Sequence, residues 1–294
     1  MSASLTIHDV SPGALGLRRF LADRTSLCCA VIVLLAGLVA LFAPVIVPHD
    51  PADADLLRRL QPPVWQTGGD WAYPLGCDGL GRDMVSRLIF GARVSLGVGF
   101  GVVVASSLIG TLLGMVAGFV RGAIDVVLSR IADVLLGFPY LVFAIGLMGM
   151  MGPGLGNIVI TLVLKEWVVA FRVARGETLG AREQDYVEAA RAIGCPSWRI
   201  MAGEILPNIL SPLLVVATIR IANVVIMESS LSFLGLGVQP PSVSWGSMVA
   251  DGREFLAEGW WVATLPGLAI LIVVLAINLA SQGTREAFDP RLHR

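Results

Sequence analysis

The sequence predicts an all-α membrane protein with six transmembrane helices, and three observations carry that expectation. Hydrophobic residues fill 55% of the 294 positions and charged residues only 15%. The apolar residues are gathered in long blocks, unlike the short alternations of a soluble core. A helix crossing a bilayer core about 30 Å thick needs roughly 20 apolar residues, and six blocks approach that length: Leu27–Val47, Val94–Phe119, Ile131–Met151, Asn157–Phe171, Asn208–Met227 and Trp260–Gln282. With the N-terminus inside, the segments on that side hold thirteen arginines; the opposite segments hold six, Arg58, Arg59, Arg82, Arg87, Arg93 and Arg253. Cytoplasmic loops gather Lys and Arg, so both termini are expected in the cytoplasm.

Taken in order, residues 1–26 read as a short polar cytoplasmic arm broken at Ser11-Pro12-Gly13. The first apolar run, 27–47, is too long for a removable signal peptide and has no small-residue cleavage site before Pro48-His49-Asp50, so it reads as a retained helix. The external segment 48–93 begins with a Pro-, Asp- and Gly-rich loop. Its second half changes character. Leu80, Met84, Leu88 and Phe90 or Val94 recur at helical spacing with Arg82, Asp83, Arg87 and Arg93 between them, which predicts an amphipathic helix leading into the membrane.

The fourth run holds Lys165 and Glu166, with Arg172 and Arg175 at its end. Such charges are costly against lipid and should face protein or water. Between the fifth and sixth runs, Ser232–Gly259 contains Pro240-Pro241 and repeated glycines, which exclude a continuous helix, while Trp245, Trp260 and Trp261 suit a membrane–water boundary. A re-entrant or cap-like segment is expected there.

Several function classes are excluded. A net charge of −1 argues against a nucleic-acid partner. Cys28, Cys29, Cys77 and Cys195 are not placed to pair and read as small packing residues; with histidines only at His8, His49 and His293, no metal-ligand cluster is expected. No GxxxxGK[ST] stretch is present, so ATP hydrolysis is not expected on this chain. Nor is there a catalytic constellation of the kind a membrane-embedded enzyme needs.

The stretch DYVEAARAIGCPSWRIMAGEILP, Asp185–Pro207, interrupts the apolar pattern. Its acids stand early, where they complement a helix dipole, and Ala189, Ala190 and Ala192 favour helix over Asp185–Ile193. Gly194 can take the left-handed conformation that ends a helix, and Pro196 is tolerated in the first turn of the next. Two short helices at a tight corner are expected, with Trp198, Ile200, Met201 and Ile205 as the apolar face of the second. So small a hairpin must pack on its own bundle or on a partner.

Glu188-Ala189-Ala190, Gly194 and Leu206-Pro207 resemble the EAA motif of permease subunits in binding-protein-dependent ABC importers. The longer text is similar to the dipeptide, oligopeptide and nickel branch of that family: YVEAARAIGCPSWRI with ILPN at Ile205–Asn208, PLGCDGLGRD at Pro74–Asp83, SRLIFGARVSLGVG at Ser86–Gly99, ESSLSFLGLGVQPPSVSWG at Glu228–Gly246 and DPRL at Asp289–Leu292. Glu204 departs from the family, whose members often carry a basic residue there, and so does the Lys165-Glu166 pair.

The resemblance implies a multi-pass protein of the bacterial inner membrane, with residues 94–282 as the importer's transmembrane domain and 283–294 as a cytoplasmic tail. It implies that hairpin 185–207 docks on an ATPase through Glu188, Ala189, Ala190, Gly194, Trp198, Leu206 and Pro207. Implied partners are two ATPase subunits, which bind ATP and magnesium, a second homologous permease and an external substrate-binding protein. The chain itself would bind no cofactor. Implied cargo is a di- or oligopeptide, or a related solute such as a nickel chelate. Arg220, Asn223, Glu228, Ser229 and Ser232 are candidate pathway or gate residues, because polar groups at membrane depth face an interior or a cavity. The competing expectation is a carrier or channel that works alone, which leaves the hairpin without a purpose.

Overall fold

The structure, a computed structural model, describes residues 21–288; most of the expected N-terminal arm, the DPRL stretch and the rest of the tail from 289 lie outside them. Helix α1, Arg24–Leu41, starts where the Asp23 carboxylate accepts the N–H groups of Thr25 and Ser26 at 3.2 and 3.1 Å. Such a cap satisfies donors that have no partner within the helix. The chain breaks at Phe42, earlier than expected, because Pro44 suits the first turn of a new helix, α2, Ala43–Ile46.

The segment 48–83 holds a single helical turn, Leu56–Arg58, among the described residues. The amphipathic helix expected from Leu80 does not begin there. Gly81 sits at φ +76° and Asp83 caps the N–H groups of Val85 and Ser86, so helix α3 starts at Met84 and runs unbroken to Val120. The amphipathic stretch and the second expected span are thus one helix of 37 residues. At 1.5 Å per residue it is about 55 Å long and outreaches a bilayer core.

The third expected span is not straight. Helix α4, Gly122–Gly137, and helix α5, Tyr140–Met151, meet at 96°. Pro139 lacks an N–H, and the residue before a proline is driven extended, as Phe138 is at φ −82° and ψ 132°. Helix α6 covers Leu155–Ala181, ten residues past the expected end at Phe171.

Next come helix α7, Asp185–Ala192, and helix α8, Ser197–Ile200. The expected pair of short helices is corrected here, because α8 does not stop. It passes through a π turn at Met201–Ile205 into helix α9, Leu206–Phe233, and the whole element spans 37 residues. The π turn fits Pro207: with no N–H at 207, the ladder shifts register and the Leu206 N–H reaches Met201 O. Helix α10, Trp245–Gly252, follows a non-helical loop through Pro240-Pro241, and helix α11 covers Trp261–Phe288.

Four described helices are long and apolar enough to cross a membrane: α1, α3, the α8–α9 element and α11. Counting the bent pair α4–α5 as one span makes five.

Packing centres on α3 and α6. Gly110, Gly114 and Gly118 stand at four-residue spacing and lie directly against the α6 backbone. A Cβ on Gly114 would sit 2.5 Å from the Phe171 carbonyl oxygen, and one on Gly118 would sit 2.9 Å from that of Arg175. Between membrane helices, small residues at this spacing permit the approach that gives dispersion contacts their strength. Gly114→Leu should therefore destabilise the fold by about 3 kcal/mol. Gly101→Leu, where no atom lies within 4 Å, should be nearly neutral. Thermal denaturation of the two variants in the same detergent checks the contrast.

Candidate functional site

At one end of the bundle the chain doubles back at Gly194, whose φ of +80° closes α7; the Gly194 N–H donates to Arg191 O and the Cys195 N–H to Ala190 O. Pro196 is the cap residue just before α8, one position earlier than expected. The hairpin grips its own bundle with Val187, Ile200 and Ile205, buried against Met115, Phe119 and Ala174. Phe119 organises this joint. Its carbonyl, near the C-terminus of α3, accepts from the Arg182 guanidinium, and the Arg191 guanidinium lies 4.9 Å from its ring centre.

The outer face of the hairpin is bare. Glu188, Ala189, Gly194 and Pro207 are exposed, Ala190 and Leu206 are half-buried, and two apolar side chains project at the corner, Ile193 at 81% exposure and Trp198 at 64%. Of the expected apolar face, Ile200 and Ile205 turn inward and Met201 is half-buried, leaving Trp198 outside. Cys195 is half-buried and Cys28 exposed, so only Cys29 and Cys77 are packed as expected.

Within the bundle, the charged pair of α6 is divided between two tasks. The Lys165 ammonium donates to the carbonyls of Leu135 and Phe138, the latter at 2.8 Å, and so occupies acceptors left open where α4 ends at the Pro139 bend. The buried Glu166 carboxylate accepts both arms of the Arg220 guanidinium at 2.7 and 2.6 Å, joining α6 to α9. A bidentate pair of this kind is among the stronger charge-assisted contacts.

Of the other candidate pathway residues, Glu228, Ser229 and Ser232 come together in a buried cluster. The Glu228 carboxylate accepts from Ser95 at 3.0 Å, Ser232 at 2.7 Å and Ser229 at 3.4 Å, and the Ser95 hydroxyl accepts the Trp245 N–H at 3.3 Å. This closed group ties α3, α9 and α10 together. Asn223 is half-buried on α9, apart from it.

A second polar cluster went unread in the sequence. Asp78, buried, accepts the backbone N–H groups of Leu80 and Arg82 and the Arg82 guanidinium at 2.7 Å; Arg87 lies 3.3 Å from it and reaches Asp251 at 3.1 Å. Asp83 holds the Ser86 hydroxyl at 2.6 Å. The Cys77 thiol, buried beside Asp83 and Asp78, is pushed up to about 12 and stays protonated. The dense Gly and Asp of PLGCDGLGRD was the available signal, since such loops fold around Asp turns.

The fold is one shared with solved ABC transporters. The methionine ABC transporter MetNI in an inward-facing conformation matches at a TM-score of 0.57 and 19% identity, over 69% of this chain and 97% of that one. An amino acid ABC transporter solved with histidines matches at 0.51. The chain belongs to the family described as binding-protein-dependent transport system inner membrane component, which matches residues 110–294. The N-terminal TM domain of oligopeptide transport permease C matches residues 11–63.

Relatives include the di/tripeptide transport system permease protein DppC of Pseudomonas aeruginosa, 41% identical over 93% of this chain and 90% of that one. A putative peptide transport system permease protein of Brucella abortus is 40% identical over 98% and 96%. The chain is accordingly a permease subunit of an ABC importer, which removes the carrier or channel working alone.

Removing one partner of a buried ion pair strands the other charge. Glu166→Gln should destabilise the protein by about 3 kcal/mol, and Glu166→Leu with Arg220→Met should recover most of that loss. A double-mutant cycle on thermal unfolding in detergent measures the coupling.

Proposed function

We propose that the chain forms half of the transmembrane pathway of an ATP-driven importer of short peptides, paired with a second, homologous permease and driven by two ATPase subunits. The observation that carries the peptide reading is the near full-length likeness to permeases named for peptides, at 41% identity for the Pseudomonas protein and 36% for the dipeptide permease of Haemophilus influenzae. Six spans are proposed, with α6 as the one whose charges are satisfied inside the bundle. Both termini lie in the cytoplasm, in keeping with the arginine asymmetry. This subunit performs no chemistry; ATP and magnesium belong to the ATPase partners.

Hairpin 185–207 is the contact with the ATPase. Its support is physical: an apolar corner of Ile193 and Trp198 exposed to water, beside the carboxylate of Glu188, is a surface that gains by being covered. The inner face of the hairpin is packed on α3, so movement imposed on the corner is passed to the bundle. Each ATPase state need favour one bundle state by only a few kcal/mol. Arg220 and Asn223 line the pathway in this reading, while Glu228, Ser229 and Ser232 hold its helices together. An external binding protein docks on the outer segments 48–83 and 234–259.

Purification in mild detergent by a C-terminal tag should bring down two ATPase chains and a second permease. A chain recovered alone that moves solute into liposomes without ATP would overturn the proposal. Gly194→Val forces a branched side chain onto a backbone at φ +80°, a strain of about 1–2 kcal/mol. It should leave insertion intact and lower coupled uptake at least several-fold; uptake at the wild-type rate would remove the hairpin's role. Cys195 should react with maleimide only from the cytoplasmic side and be shielded by the bound ATPase; labelling of intact cells by an impermeant reagent would reverse the topology.

A further inference from the structure

The start of segment 48–83, the first half of α3, the first turns of α6 and the loop 241–243 line an open cleft of about 580 Å³. That volume lies within the range of small-molecule sites, roughly 300–1,000 Å³. Its walls are mostly apolar, with Phe90, Val94, Leu155 and Val159 among them. Two charged residues line it, Asp50 and Arg93. Among the described residues Arg93 has no ion pair or hydrogen bond, and Asp50 accepts only the N–H of Ala52, at 2.8 Å. The two do not pair with each other. Arg58, Arg82 and Arg87 of the same region are held by carboxylates.

A cation and an anion that line one cleft, both open to solvent and not paired with each other, are complementary to a zwitterion. We infer that this cavity is a binding site for short peptides on the permease itself, with Arg93 taking the terminal carboxylate and Asp50 the terminal ammonium. The inference rests on the reading of the chain as a peptide importer's permease and assigns it a substrate-contacting site. The guanidinium fork suits a carboxylate in two-point contact, and the Asp50 carboxylate has acceptor capacity left for an ammonium. Both terminal charges are common to all unblocked peptides, and beside Asp50 and Arg93 the lining holds one polar side chain, that of Ser242 at the rim. The site therefore recognises free termini rather than sequence.

The test uses the assembled, detergent-purified transporter. Cys28→Ser and Cys195→Ser remove the reactive thiols, since Cys29 and Cys77 are buried, and Ser242→Cys places a probe on the exposed cavity rim. Millimolar Ala-Ala should slow maleimide labelling of the probe several-fold, whereas Ala-Ala amide and N-acetyl-Ala-Ala should not. Arg93→Gln and Asp50→Asn should each abolish protection by Ala-Ala, and Arg93→Lys should keep part of it. Equal protection by the blocked peptides, protection that survives Arg93→Gln, or no protection at all would overturn the site. ATP-driven uptake of Ala-Ala by the wild-type transporter is measured alongside. In liposomes with the binding protein present, uptake without protection overturns this site and leaves the peptide reading standing; absence of uptake overturns both the site and the peptide reading.

Discussion

The close approach of α3 and α6 is the contact on which the rest of the architecture depends. Three glycines take α3's own side chains out of the contact, so the α6 backbone and the small side chains of Ala170, Ala174 and Thr178 lie directly on the α3 backbone. That fixes where Lys165 and Glu166 can reach. Lys165 meets the broken end of α4, and Glu166 meets Arg220 on α9. The same approach carries Phe171 and Ala174 into the core and delivers the chain to the hairpin, whose inner face rests on Phe119 of α3. A side chain at Gly114 would displace all of these at once, because packed interiors transmit strain instead of absorbing it.

Charge inside this bundle is not tolerated by chance. Several of the buried ionic groups described above have a partner on a different element: Glu166 across α6 and α9, Glu228 across α9 and α3, Asp78 and Arg87 across the segment 48–83, α3 and α10. Apolar packing alone leaves helices in lipid free to slide, because lipid tails are as apolar as leucine. Partnered charges fix the register in which they sit.

Much of the architecture was legible in the sequence, for reasons that differ from element to element. Hydropathy located the apolar runs because a bilayer imposes a length. Gly194 was legible because a left-handed residue between an Ala-rich helix and a proline has few other readings. The bend at Phe138-Pro139 was missed although the proline stood in plain view, since a hydropathy window scores Pro139 hardly differently from its neighbours. The merger of α8 with α9 was missed for the opposite reason: Pro207 looked like a boundary, and a π turn absorbed it. The candidate polar residues of α9 were identifiable as unusual, but their partners Glu166 and Ser95 are brought to them only by tertiary packing. Asp50 and Arg93 carried no local signal, because their significance lies in sharing one cavity.

The element running from Ser197 to Phe233 has a further mechanical consequence. Its irregularities, the π turn at 201–205, Pro207 and Pro212, all fall in the half nearer the hairpin. The remaining stretch to Phe233 carries no proline or glycine. Bending compliance is therefore concentrated at one end of a rod about 55 Å long. A tilt of about 10° about its midpoint would sweep either tip through roughly 5 Å by the same helical rise. The stiff half would carry about 3 Å of that sweep to Glu228 by the same helical rise, and the soft half would let the hairpin keep its seat while the rest swings.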